Sequence, residues 1–107
     1  DLISNVFPRT YPVGMSVEII KTDSLKKILG LTADSCDREH ITRFFYKNPE
    51  KFRILNFESG RPDLRKVRLA VDTKEDLERI NWLFKELGCL INFEMAAEKS
   101  LLWSSIE

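Results

Sequence analysis

Asp72 closes the alternating segment Val67-Arg68-Leu69-Ala70-Val71 and stands directly before Thr73-Lys74-Glu75-Asp76-Leu77. A carboxylate at such a junction can hold a divalent cation, because open α/β sheets gather ligands and metals at the carboxyl ends of their strands. Magnesium takes only one or two protein carboxylates and completes its octahedron with waters and phosphate oxygens. One aspartate is therefore sufficient for a partial site. The competing reading is that Asp72 only caps or solvates a turn. Asp76 has a better local use, as the capping-box partner of Thr73.

Two further clusters carry chemistry. Asn5 together with Arg9-Thr10-Tyr11-Pro12-Val13-Gly14 offers an amide, a guanidinium and a phenol on a loop stiffened by proline. This set suits a polyhydroxylated or carboxylated substrate, since arginine grips carboxylates bidentately. The plainer alternative is a connecting loop whose aromatic ring packs on the core. Arg38-Glu39-His40 is expected in the first turn of a helix, where the dipole favours the Glu39 carboxylate. His40 is the only histidine, so any imidazole acid–base role falls to it. It serves equally as a hydrogen-bonded structural residue. No second His or Cys lies at ligand spacing, and Cys36 and Cys89 are isolated. A zinc site or a disulfide is therefore not expected, and a reduced, cytoplasmic setting is. The glycines (Gly14, Gly30, Gly60, Gly88) occur singly, and none opens a phosphate-cradling loop. If the chain takes part in nucleotide chemistry, the part that holds the nucleotide lies elsewhere.

The elements that must position these groups follow from periodicity. Residues 67–71 read as a strand, and Thr73 caps a helix that is expected to bury Leu77, Ile80, Phe84 and Leu87. That helix carries a Glu75–Arg79 pair and ends at Gly88. Strands are expected over residues 2–6, 15–20 and 52–57, with residues 7–14 as an ordered loop. Thr22 or Asp23 caps a first helix with Leu25, Ile28 and Leu29 on one stripe and its end at Gly30. Asp37 caps a second helix, with Ile41, Phe44 and Phe45 inward, which Asn48-Pro49 stops. Asn92 begins a last helix through Phe93, Ala96, Ala97 and Leu101. No repeat or linker interrupts residues 1–107, so a single domain of α/β or α+β character is expected.

Bulk properties narrow the function classes. The 107 residues suffice for one modest domain that buries roughly two-thirds of its unfolded surface. Seventeen basic residues balance seventeen acidic ones, so bulk charge favours neither a nucleic-acid partner nor a membrane surface. No apolar run approaches the roughly 20 residues that span a bilayer, and residues 1–5 lack the basic and apolar regions of a signal peptide.

Three segments in order, N-x-x-x-R-T-Y-P-x-G-x-x-V-E from Asn5, Asp37-Arg38-Glu39-His40-Ile41-Thr42, and Arg68-Leu69-Ala70-Val71-Asp72-Thr73-x-Glu75-Asp76-Leu77, carry a resemblance. Over residues 1–87 the chain resembles the C-terminal half of cytidylyltransferases of the spore coat polysaccharide biosynthesis type. These are relatives of the 3-deoxy-manno-octulosonate and acylneuraminate cytidylyltransferases. The resemblance implies the C-terminal part of a nucleotide-diphospho-sugar transferase-like fold, a mixed sheet with flanking helices. It also implies transfer of CMP from CTP to a sugar or sugar acid, with Mg²⁺ held partly by Asp72. Asn5, Arg9, Tyr11, Arg38, Glu39 and His40 would then border the acceptor. The family's glycine- and arginine-containing loop and its other metal-binding aspartate are not matched here, so the chain alone is expected to be inactive. The alternative is a non-catalytic binding or dimerisation module, with Phe7, Phe57, Trp82 and Trp103 as candidates for exposed apolar surface and a homodimer as one way to cover it.

Overall fold

The computed structural model describes residues 1–89 and 91–103 and divides into two compact units. The first comprises residues 1–8 and 17–57, the second residues 9–16 and 58–107. The chain is mixed α/β, a three-stranded mixed sheet with helices, as its element order predicts.

In the first unit, β1 (Leu2–Ser4) lies between β2 (Glu18–Ile20), antiparallel to it, and β3 (Ile54–Asn56), parallel to it. The strands expected over residues 2–6, 15–20 and 52–57 are present but shorter than the apolar runs that announce them. Alternation sends Leu2 and Ser4 inward and Ile3 outward. Leu2 joins Ile28, Phe44 and Phe45 in a buried cluster backed by Ile20, Ile41, Tyr46, Phe52 and Ile54. The rings of Phe44 and Phe45 both meet Phe52, at 5.9 and 4.6 Å between centroids.

Helix α1 (Thr22–Leu31) contributes Ile28 to this core and passes through Gly30 to Leu31, one residue beyond the expected end. Its N-cap is Lys21, which makes no side-chain cap, rather than Thr22 or Asp23. Leu29 is half exposed, because only one edge of the expected stripe meets the sheet. The expected second helix breaks in two, α2 (Ser35–Glu39) and α3 (Thr42–Lys47). Asp34, not Asp37, caps α2, accepting the Cys36 N–H at 2.8 Å. That bond holds the Asp34 carboxyl below its usual range. Asp37 is buried inside α2, where it takes the Thr32 hydroxyl at 3.0 Å and lies 3.8 and 3.7 Å from Arg43 and Lys47. A buried carboxylate needs such partners. Asn48 ends α3 as expected, its amide donating to the Phe44 carbonyl at 3.0 Å.

In the second unit the strand expected over residues 67–71 is reduced to one parallel bridge, Val13 to Arg68. Val13 N–H donates to Val67 O at 2.9 Å, and Leu69 N–H to Val13 O at 2.7 Å. The pairing stops there because the next residue, Gly14, turns away at φ +102°. A Cβ on Gly14 would sit 2.8 Å from the backbone nitrogen of Ala70 and 2.8 Å from the carbonyl carbon of Leu69, so only glycine allows this approach.

Thr73 and Asp76 form the expected capping box at the start of α4 (Lys74–Leu87), and Gly88 ends it at φ +77°. Asn92 caps α5 (Phe93–Ser100) as expected, accepting the Met95 N–H at 2.8 Å. The unit's core is Leu64, Val67 and Ala97, with Leu69 and Phe93 against it. The inward face of α4 differs from expectation. Leu83 is its buried apolar residue, while Leu77 and Phe84 are 48 and 52% exposed. Arg79 reaches Asp76 at 2.9 Å rather than pairing with Glu75. Among the described residues, no helix is long and apolar enough to cross a membrane.

Candidate functional site

The loop of residues 9–14 is tied down from several directions. Arg9 spans it, Nη2 donating to Ser16 Oγ at 2.7 Å and Nη1 to the Pro12 carbonyl at 3.3 Å. Buried Thr10 holds Ser59 twice, through its hydroxyl at 2.8 Å and its carbonyl at 3.0 Å. Tyr11 leans on Phe93 with ring centroids 5.0 Å apart, and Pro12 is fully buried. The aromatic ring of this loop thus packs, as the plainer reading of the loop expects, and the Arg9 guanidinium stays partly accessible. The Val13–Arg68 bridge sets the loop beside the segment that leads to Asp72.

At the start of α4 the two aspartates divide their roles. Asp76, 4% exposed, accepts the backbone N–H groups of Asp72 and Thr73, each at 3.0 Å. It also takes Arg79 Nη2 at 2.9 Å and Arg68 Nε at 3.4 Å. The Asp72 N–H first, then Thr73 and Arg79, hold its carboxyl far below the usual range against the opposing effect of burial. Asp72 turns its side chain out, 69% exposed, and pairs with Arg68 four residues earlier. Arg68 and Arg79 were not among the expected site residues. The spacings Asp72–Arg68 (i, i−4) and Asp76–Arg79 (i, i+3) were the available signal. A single exposed carboxylate fits a magnesium ion only as a partial site. Among the described residues, no group of three His, Cys, Asp or Glu side chains is placed to hold a metal.

The remaining expected residues belong to the first unit. Asn5 is buried, and its Oδ1 accepts the Val17 N–H at 2.9 Å while its own N–H donates to Val17 O at 3.3 Å. It thereby latches the chain after β1 to the chain before β2. Arg38, Glu39 and His40 do not open a helix, which corrects the expectation drawn from Asp37 as a cap. Arg38 and Glu39 end α2, and His40 is its C-cap. The dipole there favours Arg38 and disfavours Glu39. Arg38 lies over the end of α1, donating to the carbonyls of Leu29 and Thr32 at 3.4 Å. Glu39 and His40 are both strongly exposed, Nε2 lying 4.0 Å from Oε1.

A polar chain that the sequence did not announce runs from Ser4 Oγ to the Tyr46 hydroxyl, 2.7 Å, and on to Glu18 Oε2, 2.5 Å. Arg61 is a second such feature. It takes Asp63 bidentately, at 3.1 and 2.9 Å, and Glu98 at 2.9 Å, and it holds the Asp63 carboxyl below its usual range.

The structure superposes on that of a cytidylyltransferase from Leptospira borgpetersenii serovar Hardjo-bovis (strain JB197) with a TM-score of 0.79 and 27% identity, over 99% of this chain. This chain is similar to a cytidylyltransferase. It covers 44% of that protein's chain. It is also 32% identical, over 86 residues and 78% of its length, to an uncharacterized protein of Methanocaldococcus jannaschii, of which it covers 34%. The chain thus spans between a third and a half of these two relatives. No protein-family model matches it. The cytidylyltransferase likeness anticipated from the three motifs is borne out at that level.

Proposed function

We propose that this chain is the C-terminal portion of a nucleotidyltransferase that moves CMP from CTP to a sugar or sugar acid, in surface polysaccharide biosynthesis of the spore coat type. The observation that carries the reading is the superposition on a cytidylyltransferase over 99% of the chain at a TM-score of 0.79. Its support in the sequence is the order of the three motifs. On this reading Arg9 and Tyr11, on the tied loop of the second unit, offer polar atoms to the acceptor. In the complete enzyme Asp72 would be one of the carboxylates that hold Mg²⁺, and the ion would supply charge neutralisation at phosphate oxygens. A cytoplasmic setting belongs to the same reading and draws on the free, exposed thiols of Cys36 and Cys89.

The sequence contains no glycine-rich phosphate loop, and the chain by itself is accordingly inactive. Incubation with CTP, Mg²⁺ and candidate sugars is expected to release no pyrophosphate, and release would overturn this part of the reading. Calorimetric titration with a 3-deoxy sugar acid tests the acceptor side. Arg9→Ala should weaken binding about tenfold or more, the loss of one charge-assisted contact. Failure of the unaltered chain to bind any sugar or sugar acid sinks the assignment.

One observation favours a non-catalytic, self-associating module instead. Ile3, Ile19 and Leu55 are register neighbours across the sheet and are 43, 60 and 52% exposed. A strict monomer in concentrated sedimentation runs argues against that second reading.

A further inference from the structure

The polar chain from Ser4 to Glu18 has a direction. A hydroxyl donates one hydrogen and a carboxylate only accepts. Tyr46 therefore gives its hydrogen to Glu18 Oε2 at 2.5 Å, and the Ser4 hydroxyl donates to Tyr46 at 2.7 Å. The donor end is anchored inside the first unit, because Ser4 is fully buried and its Oγ also accepts the Val6 N–H at 3.1 Å. The other end is open. Glu18 is exposed, and among the described residues its carboxylate has Tyr46 alone as hydrogen-bond partner and no cation beside it. Tyr46 also meets the ring of Phe7, which is 39% exposed, at 4.8 Å between centroids. Asn56 pins the backbone that carries this ring: Oδ1 accepts the Phe7 N–H at 3.0 Å, and Nδ2 donates to the Pro8 carbonyl at 3.1 Å. A half-exposed ring and an accessible carboxylate oxygen thus flank one tyrosine. Both are fixed before anything binds, which lowers the ordering cost of binding.

These two groups select a ligand with C–H groups on one side and hydroxyls at its edge. The negative face of a phenyl ring attracts polarised C–H groups, and a carboxylate oxygen accepts O–H donors in charge-assisted bonds. An anionic ligand would be repelled by Glu18. An ammonium group is better held by a cage of several rings, and one ring is offered here. We infer that Phe7, Tyr46 and Glu18 form a subsite for a neutral pyranose, its C–H groups against Phe7 and a hydroxyl donating to Glu18 Oε1. Tyr46 is a positioning residue, holding the Glu18 carboxylate through Oε2. The subsite lies in the first unit, uses none of the residues assigned above to metal or acceptor, and does not rest on the cytidylyltransferase reading.

The test is a carbon-13 correlation spectrum of the aromatic rings, with Phe7→Leu used to assign the Phe7 signals. Methyl α-mannopyranoside and tetramethylammonium chloride are titrated separately. The Phe7 and Tyr46 signals should shift saturably with the pyranoside, with a dissociation constant on the order of millimolar for so small a ligand. Glu18→Gln keeps an oxygen for Tyr46 but loses the charge, and should weaken binding about tenfold. Phe7→Leu keeps an apolar side chain without the ring face and should weaken it roughly threefold, read on Tyr46. Glu18 and Phe7 are exposed and belong to neither buried cluster, so both variants should retain the fold, which their amide spectra check. An affinity that Glu18→Gln leaves unchanged overturns the inference. So do shifts confined to the Tyr11 ring, saturation with tetramethylammonium in place of the pyranoside, or no saturable shift at all.

Discussion

Asp76 accepts from two backbone N–H groups and two arginines, and its acid titration follows from them. Its carboxyl lies far below the ordinary value of 3.8 in the folded chain, chiefly through the Asp72 N–H. The unfolded chain therefore binds more protons in acid, and stability rises with pH across that range. The contribution is complete above 3.8, declines as the pH falls below it, and is exhausted only beneath the lower folded value. Urea melts between roughly pH 2 and 6 should show a shallower acid limb in Asp76→Asn than in the unaltered chain. Equal slopes would mean that the two N–H bonds do not favour the charged form. Asp72 provides the control. Exposed and paired with exposed Arg68, Asp72→Asn should change stability by less than about 0.5 kcal/mol.

The elements show why some features were readable from sequence and others were not. The capping box is local: Thr73 and Asp76 need only each other and three intervening residues. Thr73→Ala should accordingly cost about 1 kcal/mol, with Thr73→Ser close to neutral in the same denaturant titration. The helix ends at Asn48 and Gly88 were legible for the same reason. Strand lengths were not, because they depend on partners distant in sequence. Residues 67–71 alternate well enough for a strand but, among the described residues, find only Val13 to pair with, and Gly14 ends that pairing. Gly14→Ala combines an unfavourable φ with backbone overlap and should destabilise by more than about 1 kcal/mol. Apolar spacing located α4 but not its covered face. Leu83→Ala should cost about 2–5 kcal/mol, whereas Leu77→Ala should stay within about 1 kcal/mol because Leu77 is half exposed. Comparable losses at both positions would refute the observed packing of α4.

At the scale of the whole molecule, the mixed α/β class was legible in the element order and the cytidylyltransferase likeness in three ordered motifs, none decisive alone. The candidate site was legible as residue types and less so as roles. Asn5 and Arg38 hold backbone, and Glu39 and His40 lie at a helix end rather than a start, because Asp34 took the cap that Asp37 offered equally well on paper. The apolar surface was anticipated in kind. Phe7 and Phe57 are each 39% exposed, but Trp82 and Trp103 are half-buried and stack on one another at 5.4 Å. Another exposed apolar group is the aliphatic row Ile3, Ile19 and Leu55, which three separate strands bring together and no local window reveals.

The interleaving of the two units has a consequence for dissection and for synthesis. Residues 9–16 depart from the first unit between β1 and β2 and serve the second, whose other residues begin at 58. A single cut therefore cannot separate the halves cleanly. A polypeptide beginning at Glu58 is deprived of the Val13 bridge and the Thr10 clamp on Ser59, and one ending at Phe57 carries an orphaned excursion. During translation the early hairpin-like detour must wait for some fifty later residues before it finds its mate, a long closure of the kind that slows folding.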